Sequence, residues 1–238
     1  MEVMIAVFLS TILMTAIVQL LSASVSAYQL QLTQSQLAES SHYVRDILIT
    51  QISQAGYQPE PWRHASVLPA LTEESSDGVN RWGDQLGLQR WSDHNCYGNE
   101  NPVKNRDGQP AFHLVQTRIR VSPAHNLALT CRYGPDASRL KTQIRNHGLI
   151  EDVDALQVLY AEDRNGDGIT DRWVTANAWH QESNVRAVRV ALLQSTRQAF
   201  GNAHSERISL LDQSITTPAD GKLRKLTLLT SAIRGRLK

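Results

Sequence analysis

Between Glu2 and Glu39 the chain runs for 36 residues without a charged side chain. Charged residues make up 20% of the 238-residue whole, so a stretch of that length should hold about seven. Glycine and proline show the same gap, because all 13 Gly and all 8 Pro follow Ala55. A segment free of charges and of helix breakers predicts one uninterrupted helix from the head of the chain to Gly56. Gly56 supplies the stop, and Pro59 and Pro61 prevent resumption. Such a helix, about 55 residues long, would measure ~80 Å at the standard rise.

Its first half is a candidate membrane span. Val3 to Ala27 holds no charge, Gly or Pro over 25 residues, enough to cross the ~30 Å hydrocarbon core of a bilayer. The competing reading is a secretory signal cleaved after Ala27, where Val25-Ser26-Ala27 offers a small-x-small site. Against it, the segment opens on an acid, Glu2, and has no Lys or Arg before Arg45. From Tyr28 onward Leu30, Leu37, Val44, Ile47, Leu48 and Ile52 fall on one helical stripe, so the second half should lay a single face on a globular domain. The chain therefore divides into residues 1–27 (membrane or filament core), 28–56 (amphipathic half) and 57–238 (a head large enough for one core). A carboxylate at the head of an apolar helix costs ~2.5–3.5 kcal/mol on insertion scales. Glu2 is thus either a functional residue with a partner or a residue resting in the headgroup region.

Beyond Gly56 short apolar runs alternate with turn signals. Strands are expected at Phe112–Val121, Asn126–Arg132, Ala155–Tyr160, Trp173–Ala178 and Val185–Leu193, with a last one at Leu226–Leu229. They predict an α+β fold, an antiparallel sheet packed on the second half of the long helix. Residues 62–110 lack a clean period and read as an irregular loop with one short helix. Their Trp62, Trp82 and Trp91 either fill a core or form a partner surface.

Three further features bear on chemistry. Cys96 and Cys131 are the only two cysteines; in an exported domain they would form a disulfide, and the rival is a zinc site completed by His94. The run Asp163-Arg164-Asn165-Gly166-Asp167-Gly168-Ile169-Thr170-Asp171 reproduces the first nine positions of a calcium loop. Asp163, Asn165, Asp167 and Asp171 supply side-chain oxygens, and Ile169 a backbone carbonyl. Position twelve is Val174 rather than a bidentate Glu, so the loop would be a shortened one; the other reading is an Asp-Asn-Gly turn with no ion. The C-terminus gathers Lys222, Arg224, Lys225, Arg234, Arg236 and Lys238 without an acid, either as solvated strand flanks or as a surface for an acidic partner or anionic membrane. No nucleophile elbow, zinc-protease helix, phosphate loop or dinucleotide fingerprint is present, and no catalytic residue is assigned. A formal charge of +1 argues against nucleic-acid binding.

Four stretches together resemble the PilW-type minor pilins of type IV pili: Glu2-Val3-Met4-Ile5-Ala6, the helix end Arg45 to Tyr57, the loop Asp163 to Trp173, and Val185 to Leu193 with the basic C-terminus. The resemblance implies a non-catalytic minor pilin that helps initiate a type IV pilus or caps it. Its partners would be other minor pilins, the major pilin, a tip adhesin and the inner-membrane assembly platform. It would be a single-pass inner-membrane protein with its head in the periplasm, transferred to the pilus on assembly. The resemblance also implies that Glu2 pairs with the positively charged N-terminus of a neighbouring subunit. Pilin precursors carry a basic leader ending in Gly; here Met1 directly precedes Glu2, and the leader is expected upstream of Met1. The alternatives are a type II secretion minor pseudopilin and, from another class, a periplasmic calcium-binding protein released by cleavage after Ala27.

Overall fold

In the computed structural model, which describes residues 2–63, 67–80, 82–176, 178–201 and 203–236, helix α1 spans Glu2–Gln54 without a break. Eleven strands follow among the described residues. They are β1 (Ser76–Asn80), β2 (Gly83–Ser92), β3 (His113–Val121), β4 (Leu127–Gly134), β5 (Lys141–Ile150), β6 (Val153–Glu162), β7 (Arg172–Val174), β8 (Val185–Ala199), β9 (Arg207–Leu210), β10 (Gln213–Thr216) and β11 (Lys222–Ala232). The chain forms two compact units, Met1–Ser40 and Ser41–Lys238. The described residues of the first are helix alone.

In the second unit the helix ends where Gly56 enters the left-handed region (φ 75°), a conformation open to glycine at little cost. The Gly56 amide donates to Gln89 O at 2.8 Å, which ties the helix end to β2. Val44, Leu48 and Ile52 are fully buried, as the stripe predicts; Ile47 is half-exposed, and Ile49, outside the stripe, also packs on the core. Spacings of four residues bring three β-branched or Leu side chains onto one line along the helix. Among them Ser41 donates to Gln194 Oε1 at 2.7 Å, so a buried hydroxyl keeps its partner.

The main sheet runs β11-β8-β6-β2-β3-β4-β5, with β1 paired to β2 and β7 to β6; β9 and β10 form a separate hairpin. It is antiparallel except where β2 meets β6 at a single parallel bridge, Gly83↔Leu156. Residue alternation sorts its two faces. Leu156, Val158 and Tyr160 of β6 and Val188, Val190 and Leu192 of β8 join Val44, Leu48 and Ile52 in the main core. Their neighbours Ala155, Ala191 and Leu193 point the other way and meet Leu210, Ile208 and Ile215 of the hairpin. β6 and β8 thus read as almost continuous apolar runs because both of their faces are covered.

The α+β expectation holds, and the foreseen strands are present: β6, β8 and β11 with longer bounds, β3 one residue shorter at its start, and β4 shifted toward its C-terminal end. Two expectations need correction. The run Trp173–Ala178 yields only the three-residue β7. Residues 62–110 are not an irregular loop: they contain β1 and β2, and β2 lies mid-sheet. Gly83 and Gly87 conceal β2 in the sequence, since neither adds a side chain to the alternation, yet both are demanded by close approach. A Cβ on Gly83 would lie 1.9 Å from Leu156 O, and one on Gly87 2.1 Å from Thr72 Oγ1. The three tryptophans separate as well: Trp82 packs against the core, Trp91 is half-buried, and Trp62 is 79% exposed.

Cys96 and Cys131 are joined (S–S 2.04 Å), which fixes the segment after β2 to β4. Both sulfurs are consumed, and no zinc site with His94 can form. At the other end of β2, the buried Asp84 accepts from Gly78 N at 2.9 Å and from Val158 N at 2.7 Å. Its carboxylate so extends the β2–β6 junction beyond the single bridge. Burial pushes the Asp84 carboxyl up to about 6; the two amides oppose the shift, and Asp77 and Asp212 add to it.

Two predictions follow from these ties. Closing a 35-residue separation is worth about 3–4 kcal/mol through the unfolded state, so Cys96→Ser with Cys131→Ser should lose that much stability in denaturant titration. Thiols that react with maleimide without prior reduction would remove the bond. For Asp84, a folded pKa above the unfolded value means that the folded state holds the proton more firmly, so stability falls as pH rises from about 4 to about 6 and is level above. The difference in thermal midpoint between the unmodified chain and Asp84→Asn should decline across that window; a flat or rising difference contradicts the assignment.

Candidate functional site

The feature with the clearest functional content is the first unit. From Glu2 to Gln29 every side chain is exposed, including Met4 (81%), Leu20 (74%), Phe8 and Met14. Five hydroxyls of this segment are turned inward on the helix itself. Ser10, Thr11, Thr15 and Ser22 donate to the carbonyls of Val7, Phe8, Ile12 and Gln19 at 2.8–2.9 Å, and Ser26 to Ser22 O. The backbone and these five hydroxyls are thereby satisfied within one element, which suits residence in an apolar medium. The helix is long and apolar enough to cross a membrane. Glu2 occupies its first turn, where a negative charge complements the unpaired amides and the positive end of the dipole.

The Asp-rich loop links β6 to β7. Asp163 is wholly buried at the side chain. Its Oδ1 accepts from Gly166 N at 2.7 Å, and its Oδ2 accepts from Gly168 N and Arg186 Nε, each at 3.0 Å. Burial raises its carboxyl, but these amides and the guanidinium outweigh burial and hold it below the usual range. Asn165 Oδ1 accepts from Asp167 N, Asp167 Oδ1 from Ile169 N and Asp171 Oδ2 from Arg164 N. The adjacent Glu162, also buried, accepts from Arg172 at 2.7 Å and from the amide of His180. The side-chain oxygens of the calcium motif are therefore engaged by the loop's own amides, and Asp163 already faces a cation, Arg186. Among the described residues no group of three His, Cys, Asp or Glu is placed to hold a metal.

The basic C-terminus is partly neutralised within the head. Arg224 is nearly buried and pairs with Asp154 at 2.8 Å and Asp220 at 2.7 Å. The Arg224 hydrogen bonds hold Asp220 down at about 2. Lys222 lies 3.7 Å from Asp152. Lys225 and Arg234 make no ion pair among the described residues; Lys238 lies outside them. Two of the six basic residues that mark this segment, Lys222 and Arg224, thus serve the fold.

Comparison with known proteins agrees with this architecture. Residues 117–235, half of the chain, match the family model of the type IV pilus-assembly protein W. A type IV-like pilin from Thermus thermophilus shares the fold, with a TM-score of 0.54 at 16% identity over 85% of this chain and all of that one. No curated protein sequence matches. With a family match across half its length, and a long apolar-headed helix packed on a mostly antiparallel sheet, the chain belongs to the type IV pilus-assembly protein W family, as a structural component of the pilus.

Proposed function

We propose that this protein is a minor pilin that helps initiate a type IV pilus or caps it. The helix waits in the inner membrane with the head in the periplasm, then moves into the filament core beside the other minor pilins and the major pilin. The observation that carries the reading is the first unit: residues 2–29 expose apolar side chains on all sides and turn five of their hydroxyls onto the helix's own carbonyls. A helix of that kind belongs in lipid or among like helices. In lipid the Glu2 carboxylate is a cost. Within a bundle it gains a partner in the charged N-terminus of a neighbour, and loss of one member of such a buried pair typically costs ~3–5 kcal/mol.

Calcium belongs to the same proposal as a separate claim on the head. Its ligands would be Asp163, Asn165, Asp167, Asp171 and the Ile169 carbonyl, with Arg186 displaced from Asp163. The support is the motif spacing together with positive φ at Gly166 and Gly168, which curls the loop on itself.

Glu2→Ala should leave the amount of protein in the inner membrane unchanged while reducing its recovery in sheared pili at least tenfold. Equal recovery of Glu2→Ala and the unmodified chain contradicts the role, and a mature chain that begins at Tyr28 removes the filament reading altogether. For calcium, titration into the detergent-solubilised full chain should release heat that Asp167→Ala abolishes; no heat at millimolar calcium ends that claim.

A further inference from the structure

A cleft of about 500 Å³ opens beside the end of α1, between the turn that follows the helix and the last residues of β2. Gln54, Arg90 and Ser92 contribute to its lining, with Tyr57, Trp91 and Phe112 as apolar wall. Its frame is fixed by backbone bonds: Trp91 N donates to Tyr57 O at 2.9 Å, Gly56 N to Gln89 O at 2.8 Å, and Asn101 N to Asp93 O at 2.7 Å. Wall and floor are thus parts of one rigid piece of the head.

Arg90 is the unusual member. Its guanidinium carries five N–H donors, of which one is engaged, by Gln51 Oε1 at 3.1 Å. Burial lowers its pKa, and no carboxylate acts on it. Arg118, Arg132, Arg172, Arg186 and Arg224 each lie within 4 Å of a carboxylate. Arg90 has no such partner among the described residues. The acid nearest in sequence, Asp93, also lines the cleft, but its Oδ1 lies 2.8 Å from His94 Nδ1. A partly desolvated cation without a counter-ion is costly, and the cost is recovered when an anion with matching planar geometry arrives. The rings of Tyr57 and Phe112, 6.3 Å apart and inclined at 46°, form a V rather than a flat platform. That shape admits a compact apolar side chain better than the face of a sugar ring.

We propose that this cleft binds an acidic segment of a protein partner, the Arg90 guanidinium receiving an Asp or Glu carboxylate while Tyr57 and Phe112 hold the apolar residue beside it. The carboxylate takes the donors that Gln51 leaves free. The partner's backbone lies across the mouth, where solvent now reaches Tyr57 and Phe112, 43% and 36% exposed.

The test uses the full chain in detergent micelles and two probes, acetyl-Leu-Glu-Leu-amide and acetyl-Leu-Gln-Leu-amide, with binding read by calorimetry. The Glu peptide should bind at least about tenfold more tightly than the Gln peptide, the scale of one charged hydrogen-bonded contact. Arg90→Gln should erase that preference, and Phe112→Ala should weaken both peptides while keeping the preference. If Arg90→Gln does not fold, Arg90→Lys decides: it keeps the charge but loses the fork, and the preference should shrink. Equal binding of the two peptides, or a preference that survives in both Arg90 variants, overturns the proposal. Galacturonate binding more tightly than the Glu peptide also overturns it, in favour of an acidic glycan.

Discussion

A helix that is apolar on every side cannot be covered by one small domain, because a domain reaches only the stripe that faces it. Residues 2–29 of α1 have this character, so the environment that completes them must come from outside the chain, as lipid or as other helices. The rest of the molecule is arranged around that demand. The helix runs on to Gln54, and only its final turns narrow to the stripe of Val44, Leu48 and Ile52 that the head encloses. The head therefore stabilises the end of the helix by burying Val44, Leu48 and Ile52.

The head joins the two ladder-paired parts of its sheet with localised ties rather than with a further ladder. Two antiparallel parts meet at the Gly83↔Leu156 bridge, where any side chain on Gly83 would strike the Leu156 carbonyl. Asp84 adds a carboxylate clasp to Gly78 and Val158, and the Cys96–Cys131 bond anchors the segment beyond β2. Glu162 and Asp163 give the β6–β7 corner a similar function through Arg172 and Arg186. Asp84, Glu162 and Asp163 make with buried carboxylates connections that ladder hydrogen bonds do not, and each carries the desolvation cost that makes loss of its partner damaging.

What the sequence disclosed follows from how each element is buried. The helix and its stop were legible because an absence of charge and of Gly or Pro persists over many residues, and β3, β4, β6 and β8 because their apolar content is dense. β2 escaped notice because Gly83 and Gly87 interrupt its pattern at the positions where neighbouring chain presses closest. β5, an edge strand with Lys141, Gln143, Arg145 and His147, is mostly exposed and so offers little apolar signal; charged residues on an edge also discourage unwanted pairing. The Asp163–Asp171 loop was ambiguous for a chemical reason. Side-chain oxygens at alternate positions suit calcium and suit Asx turns equally, and only the fold brings Arg186 of β8 to Asp163. Arg90 gave no signal at all, since its isolation from carboxylates is a property of three dimensions.

Where the first half of the helix resides in piliated cells decides between a filament subunit and a released or merely anchored protein. A photo-crosslinking amino acid at Met14, which is 66% exposed on the charge-free segment, reports this in cells that make pili. The expected product, recovered in sheared pili, joins this chain to the apolar helix of another pilus subunit. Sheared pili without any adduct to this chain, with the label confined to lipid or to a released chain beginning at Tyr28, would contradict it.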